Sequence, residues 1–154
     1  TEKKKFFGYK HHIGIDADSG LIVAQATSGG NIADDDYLMP MAEGPPPQAL
    51  TADKLYDKPH HHQRLAQKGI QSHIIRKEAS PEPQDSQYRN HCRQRKQIER
   101  VFAVLKKYHC GGRARYWGLP RVRVQNLLSD LVYNLKLLAQ VANPRPGEVC
   151  PKRA

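Results

Sequence analysis

Between Tyr88 and Arg123 the chain carries eleven Lys or Arg residues and a single acid, Glu99. A carboxylate set in so basic a run has two physical uses. It can pair with Arg95, one helical turn earlier, in a surface contact worth about 0.2–0.5 kcal/mol. It can also hold a divalent metal against a phosphate backbone, with the surrounding cations meeting the phosphates. At roughly 100° per residue, Arg95, Glu99 and Lys106 fall within about 40° of one another on one helix face. Spacing alone leaves both uses open.

Asp53 is the second carboxylate of interest. It closes Gln48–Ala52, a short and partly apolar run that reads as a strand, so it stands at a strand's C-terminal end. A turn or cap role is the alternative. Arg113, Arg115, Tyr116 and Trp117 mix cations with aromatics, a composition suited to phosphate and base contact. For Trp117 itself, packing under the last helix is the expected role. Asp34, Asp35 and Asp36 read as first-turn charge favoured by the helix dipole. Asp16-x-Asp18-x-Gly20 lacks the later ligands of a calcium loop. His60, His61 and His62 have no Cys or His partner at zinc spacing and read as exposed polar surface.

The elements that must carry these residues follow from periodicity. Phe6–Ile15 alternates as a strand, Asp16–Gly20 is turn chemistry, and Leu21–Thr27 is a second strand, making a hairpin. Asn31 is the expected N-cap of a helix ending near Glu43, and Gly44–Pro47 is a rigid connector. After the Asp53 strand, Pro59 opens a helix that Gly69 closes. Ser72–Arg76 is a further strand and Glu78–Gln87 a loop. A long basic helix spans about Asn90–Tyr108, its core face formed by Ile98, Val101, Phe102 and Leu105, and Gly111-Gly112 stops it. A final amphipathic helix, about Val122–Ala142, carries Leu127, Leu128, Leu131, Leu135 and Leu138 as its apolar stripe. The order β-β-α-β-α-β-α-α predicts a mixed α/β sheet with helices packed on it.

Composition bounds the partners. The 154 residues include 25 Lys or Arg against 15 Asp or Glu, a formal charge of +10 with pI about 9.7. Such a charge favours a polyanion, nucleic acid first, over a membrane surface. The apolar run Leu127–Val141 is interrupted by Ser129, Asp130, Asn134, Lys136 and Gln140, so no membrane span is expected. Cys92, Cys110 and Cys150 form no CxxC pair and suggest no disulfide framework. A reducing, cytoplasmic setting fits them. No apolar leader opens the sequence.

Taken together, these segments resemble the DDE transposases of the insertion-sequence IS5/IS4 group. The carriers are GYKHHIGIDADSGLI, NIADDDYLMP, TADKLYD, QRLAQKGIQSHIIRK, QIERVFAVLKK, and Arg95-x3-Glu99-x6-Lys106 running into GGRARYWGL. The resemblance extends from about Phe7 to about Leu138. It implies an RNase H-like mixed sheet with flanking helices, N-terminally truncated, in a domain over 1–142 with a flexible Pro-rich tail at 143–154. It implies cleavage and strand transfer at insertion-sequence ends. Two Mg²⁺ ions about 3.5–4 Å apart, replaceable by Mn²⁺, would serve both ends of an in-line displacement. By resemblance Asp53 and Glu99 are the second and third acidic ligands. Arg95, Arg100, Lys106, Lys107, Arg113 and Arg115 are the expected DNA contacts. The implied partners are element-end and target DNA, with a second copy or an upstream transposase fragment also open, in a nucleoid-associated setting.

Three positions depart from the family pattern. The first Asp of the family lies on a strand before the hairpin and has no counterpart here, so the chain is expected to be weakly active or inactive alone. A non-catalytic DNA-binding remnant is the alternative. Leu55 replaces the usual Gly before Tyr56, where crowding of a tight turn is expected. Cys92 stands where a Tyr precedes the Arg of the signature.

Overall fold

The computed structural model describes residues 8–44, 46–76, 86–109 and 111–143. The expected tail beyond 143, the start of the first strand at Phe6, most of the 78–87 loop, and Cys110 and Cys150 lie outside them.

Strands β1 (Tyr9–Ile15) and β2 (Ile22–Gly29) form the predicted hairpin, antiparallel, with Tyr9 opposite Gly29 and His12 opposite Ala26. Its turn is fixed by Asp16, whose carboxylate accepts from the Ser19 N–H at 2.8 Å and the Ser19 hydroxyl at 2.5 Å. Gly20 takes φ 73°, which an L side chain resists. A 3₁₀ turn at Asp34–Tyr37 leads into the short α1 (Leu38–Met41). Asn31 does not cap it: Ala33 stands before the turn and no side-chain cap forms.

Strand β3 (Ala49–Ala52) pairs in parallel with β4 (Gln71–Ile74), and α2 (Pro59–Gln67) connects them. Gly69, at φ 70°, ends α2 as expected, and the Ile70 N–H donates to the Leu65 carbonyl at 2.9 Å. Two long helices follow, α3 (Ser86–Tyr108) and α4 (Leu119–Ala142).

Two findings refine the sequence-based picture. First, the architecture is mixed α/β, but the described strands form two separate two-stranded sheets, β1-β2 and β3-β4. Among the described residues no strand joins them. Helix α3 packs on both β1 and β3. The core divides accordingly. Leu65 and Ile74 anchor one cluster with Leu38 and Met39. Ile13 and Ile22 meet Val101 and Leu105 in the other, with Ile98 and Phe102 beside them, as the α3 stripe predicts.

Second, α4 does not turn its leucine stripe to the sheet. Its inward face is a polar ladder one helical turn apart per rung. Asn126 donates to the Thr27 hydroxyl at 3.0 Å. Asp130 Oδ2 meets His11 Nε2 at 2.9 Å. The Asn134 amide takes both backbone groups of Ile22, at 2.9 and 2.8 Å. Leu127, Leu128, Leu131, Leu135 and Leu138 remain about half exposed.

Candidate functional site

Asp53 stands directly after β3, where extended backbone (φ −71°, ψ 161°) turns into a 3₁₀ turn at Lys54–Tyr56. Its Oδ1 accepts the Lys54 N–H at 2.8 Å, so it is both a strand-end carboxylate and a cap. Leu55 points into solvent from this turn and does not crowd it, contrary to the expectation for a residue in a Gly position. The strand is held to α3 by the Thr51 hydroxyl, which donates to Gln94 Oε1 at 3.0 Å.

That tie brings α3 across the strand end. Arg95 then reaches both acids: one guanidinium nitrogen lies 3.4 Å from Asp53 Oδ1 and the other 3.2 Å from Glu99 Oε1. Arg95–Glu99 is therefore the helical pair that spacing predicts, and it also ties in the second carboxylate. Both acids are accessible, with Glu99 the more exposed. A cavity of about 50 Å³ is lined by Ile15, Thr51, Gln94, Arg95 and Gln97 among others, and neither acid lines it. Gln97 Oε1 is buried without a hydrogen-bond partner.

Whether this pair suits a divalent ion can be judged from its donors and its present neighbour. Carboxylate oxygens are hard ligands of the kind Mg²⁺ takes. The charge already held between them is positive, a guanidinium spanning two acids from two different elements. Asp53 and Glu99 offer two carboxylates of that kind, joined through Arg95.

The expected DNA contacts separate into groups. Lys106, Arg113 and Arg115 line one open groove of about 600 Å³ together with Gly112 and Ala114. Gln125 fixes this loop, a role its sequence context does not reveal. Its amide donates to the Arg113 carbonyl and accepts the Arg115 N–H, both at 2.9 Å. Arg95 belongs to the carboxylate pair. Arg100 is exposed on another side of α3, and Lys107 lies over the Tyr108 ring, 5.0 Å from its centre. Trp117 is 89% exposed rather than packed under α4, because the Gly118 turn carries it outward.

The histidine run differs most from expectation. His61 is buried and neither of its ring nitrogens has a hydrogen-bond partner. Its burial and the neighbouring His60 hold its pKa below the usual histidine value. His62 bridges Asp57 at 2.9 Å and Ser72 at 2.8 Å. Asp35, His60 and His61 bring together three groups able to hold a cation. Lys58 already occupies that role, its ammonium bonded to Asp35 Oδ2, which pushes the Asp35 pKa down. No sequence spacing announced this cluster, since it joins the turn before α1 to the start of α2.

Comparison with known proteins identifies the family. A family model described as "Transposase DDE domain" matches residues 1–135. A transposase for insertion sequence element IS1106 from Neisseria meningitidis serogroup B is 31% identical over 133 residues, covering 83% of this chain and 46% of that protein. The chain thus spans about half the length of the curated relative it matches. No solved structure matches.

Proposed function

Because the chain belongs to the transposase DDE domain family, we propose that it is part of the catalytic domain of a DNA transposase, with Asp53 and Glu99 as two of its metal ligands. The observation that carries this reading is their convergence, from a strand end and a helix face, on one guanidinium. A divalent cation held there supplies positive charge to a phosphodiester and its leaving oxygen. Mg²⁺, with Mn²⁺ as substitute, matches the donor set.

The chain's own residues account for the rest. Asp53 and Glu99 hold the cation, and Arg95 keeps the two acids together in its absence. Lys106, Arg113 and Arg115 bind DNA backbone along their groove and orient the scissile strand. The DNA these residues meet is that of element ends and target, in a cytoplasmic, nucleoid-associated setting. Arg100 and Lys107 extend the positive field without lining the groove.

The fold is RNase H-like in this reading. β1 and β3 each pair on one side alone among the described strands, and α3 covers both. A further strand between them would join the two sheets and carry the remaining acid of the family. Among the described residues no strand occupies that place, and the reading takes the 154 residues alone to be weakly active or inactive. The alternative, a DNA-binding remnant, draws on the groove, which is formed without any ion.

The test is Mg²⁺-dependent nicking of labelled plasmid by this chain and by a longer polypeptide extended at its N-terminus. The reading expects nicking by the longer form, abolished by Glu99→Gln, and DNA binding without nicking by the shorter. Efficient cleavage by the short chain that survives Glu99→Gln would overturn it. Salt-sensitive binding with no cleavage by either form would favour the remnant.

A further inference from the structure

Helix α2 places a histidine where its packing asks for a hydrocarbon. His61 lies one turn before Leu65 on the face that α2 buries, and is itself 3% exposed. Among the described residues neither its Nδ1 nor its Nε2 has a hydrogen-bond partner. A neutral imidazole has one N–H to donate and one lone pair to accept with, so burial strands both. Buried polar groups are normally satisfied, and a leucine would fill the same place without that cost. A ligand for the ring explains why a histidine stands there.

The neighbours of the ring are those of a cation site. His61 Nε2 is 3.9 Å from Asp35 Oδ2, too far for a hydrogen bond. The exposed His60 ring lies beside His61, with centroids 4.1 Å apart. Asp35, His60 and His61 each offer a ligand atom, and the three atoms lie within 4.8 Å of one another. Two ligands of one zinc ion, each about 2.0–2.1 Å from it, stand roughly 3.4 Å apart at tetrahedral angles. The Asp35–His61 separation is within about 0.5 Å of that value, and His60, at the surface, can turn its ring to meet the ion.

The donors select the ion. Two imidazoles with one carboxylate suit Zn²⁺ and similar transition metals better than Mg²⁺, which prefers oxygen alone. Three protein ligands leave a fourth position for water. Positive charge already stands here, because the Lys58 ammonium is bonded to Asp35 Oδ2. The Lys58 side chain is 40% exposed, so its flexible stem can carry the ammonium into water when an ion takes its place.

We propose that Asp35, His60 and His61 bind a divalent transition-metal ion of the zinc class, which clamps the turn before α1 to the start of α2. The site shares no residue with the Asp53–Glu99 pair and does not depend on the role given to that pair.

Isothermal titration of the 154-residue chain with Zn²⁺, in the presence of excess Mg²⁺, tests it. The expected result is a tight first equivalent of Zn²⁺ that Mg²⁺ does not displace. His60→Ala should weaken that equivalent about tenfold or more with unchanged far-UV circular dichroism, since its side chain already meets solvent. Lys58→Met should tighten it severalfold, because the competing ammonium is gone, and Glu99→Gln should leave it unchanged. A chain that takes up no Zn²⁺ under these conditions, a first equivalent that His60→Ala leaves unaltered, or one abolished by Glu99→Gln would each overturn the proposal.

Discussion

Asp53, at the end of a strand, and Glu99, on the face of a long helix, share the guanidinium of Arg95, at 3.4 and 3.2 Å. One guanidinium thus neutralises carboxylates from two different elements. Two acids left side by side without a counter-charge would repel, and Arg95 removes that repulsion.

Arg95→Ala should therefore strengthen divalent-ion binding severalfold, because the competing charge is gone. Its cost to folding should stay within about 1 kcal/mol, as both ion pairs are substantially exposed. Isothermal titration with Mn²⁺ and chemical denaturation check the two halves separately.

Lys106→Ala, Arg113→Ala and Arg115→Ala should each weaken DNA binding across unrelated sequences and reduce the slope of log affinity against log salt by about 1. Lys68→Ala, on the exposed end of α2, should change the slope little. Fluorescence anisotropy over a salt series reads both effects.

Mild acid should loosen the fold through its buried histidines. His12 is buried, its Nε2 lies 2.8 Å from the Ser28 hydroxyl, and its ring stacks on Tyr37. Desolvation lowers its pKa from 6.5 in the folded chain, as it does for His61. The unfolded state thus binds more protons as pH falls through about 6.5, and stability declines with it. A second decline should follow below about 3.8, where Asp16, held down by its Ser19 hydrogen bonds, takes up its proton sooner in the unfolded chain. Urea midpoints measured across pH should fall below 6.5, and His12→Asn should flatten that first step.

Asn134→Ala should cost about 1–3 kcal/mol, because it leaves both backbone groups of Ile22 without their partner. Leu65→Ala, at a fully buried position, should cost about 2–5 kcal/mol. Denaturant unfolding of the two variants measures both.

Element order was largely legible because local periodicity dictates it: alternation through Tyr9–Ile15 and the Ile98–Leu105 stripe place the hairpin and α3. Turn chemistry was legible at Gly20 and Gly69, where backbone sterics leave little choice. The orientation of α4 was not. Leucine spacing identifies an apolar face, but which face meets the sheet depends on partners far away in sequence, His11, Ile22 and Thr27. Of the candidate site, Arg95 beside Glu99 follows from helical spacing, whereas its reach to Asp53 depends on the Thr51–Gln94 tie between strand and helix. The buried His61 was hidden for a similar reason: its neighbour Asp35 belongs to a different element.

The most direct measurement is divalent-ion affinity in a double-mutant cycle. Mn²⁺ binding, followed by loss of its free electron-paramagnetic signal, would be compared in the wild type, Asp53→Asn, Glu99→Gln and the double variant. If the two carboxylates hold one site, each single substitution weakens binding about tenfold or more and the double variant is little worse than either. Binding unchanged by both substitutions would contradict the account, leaving Asp53 and Glu99 as no more than partners of Arg95.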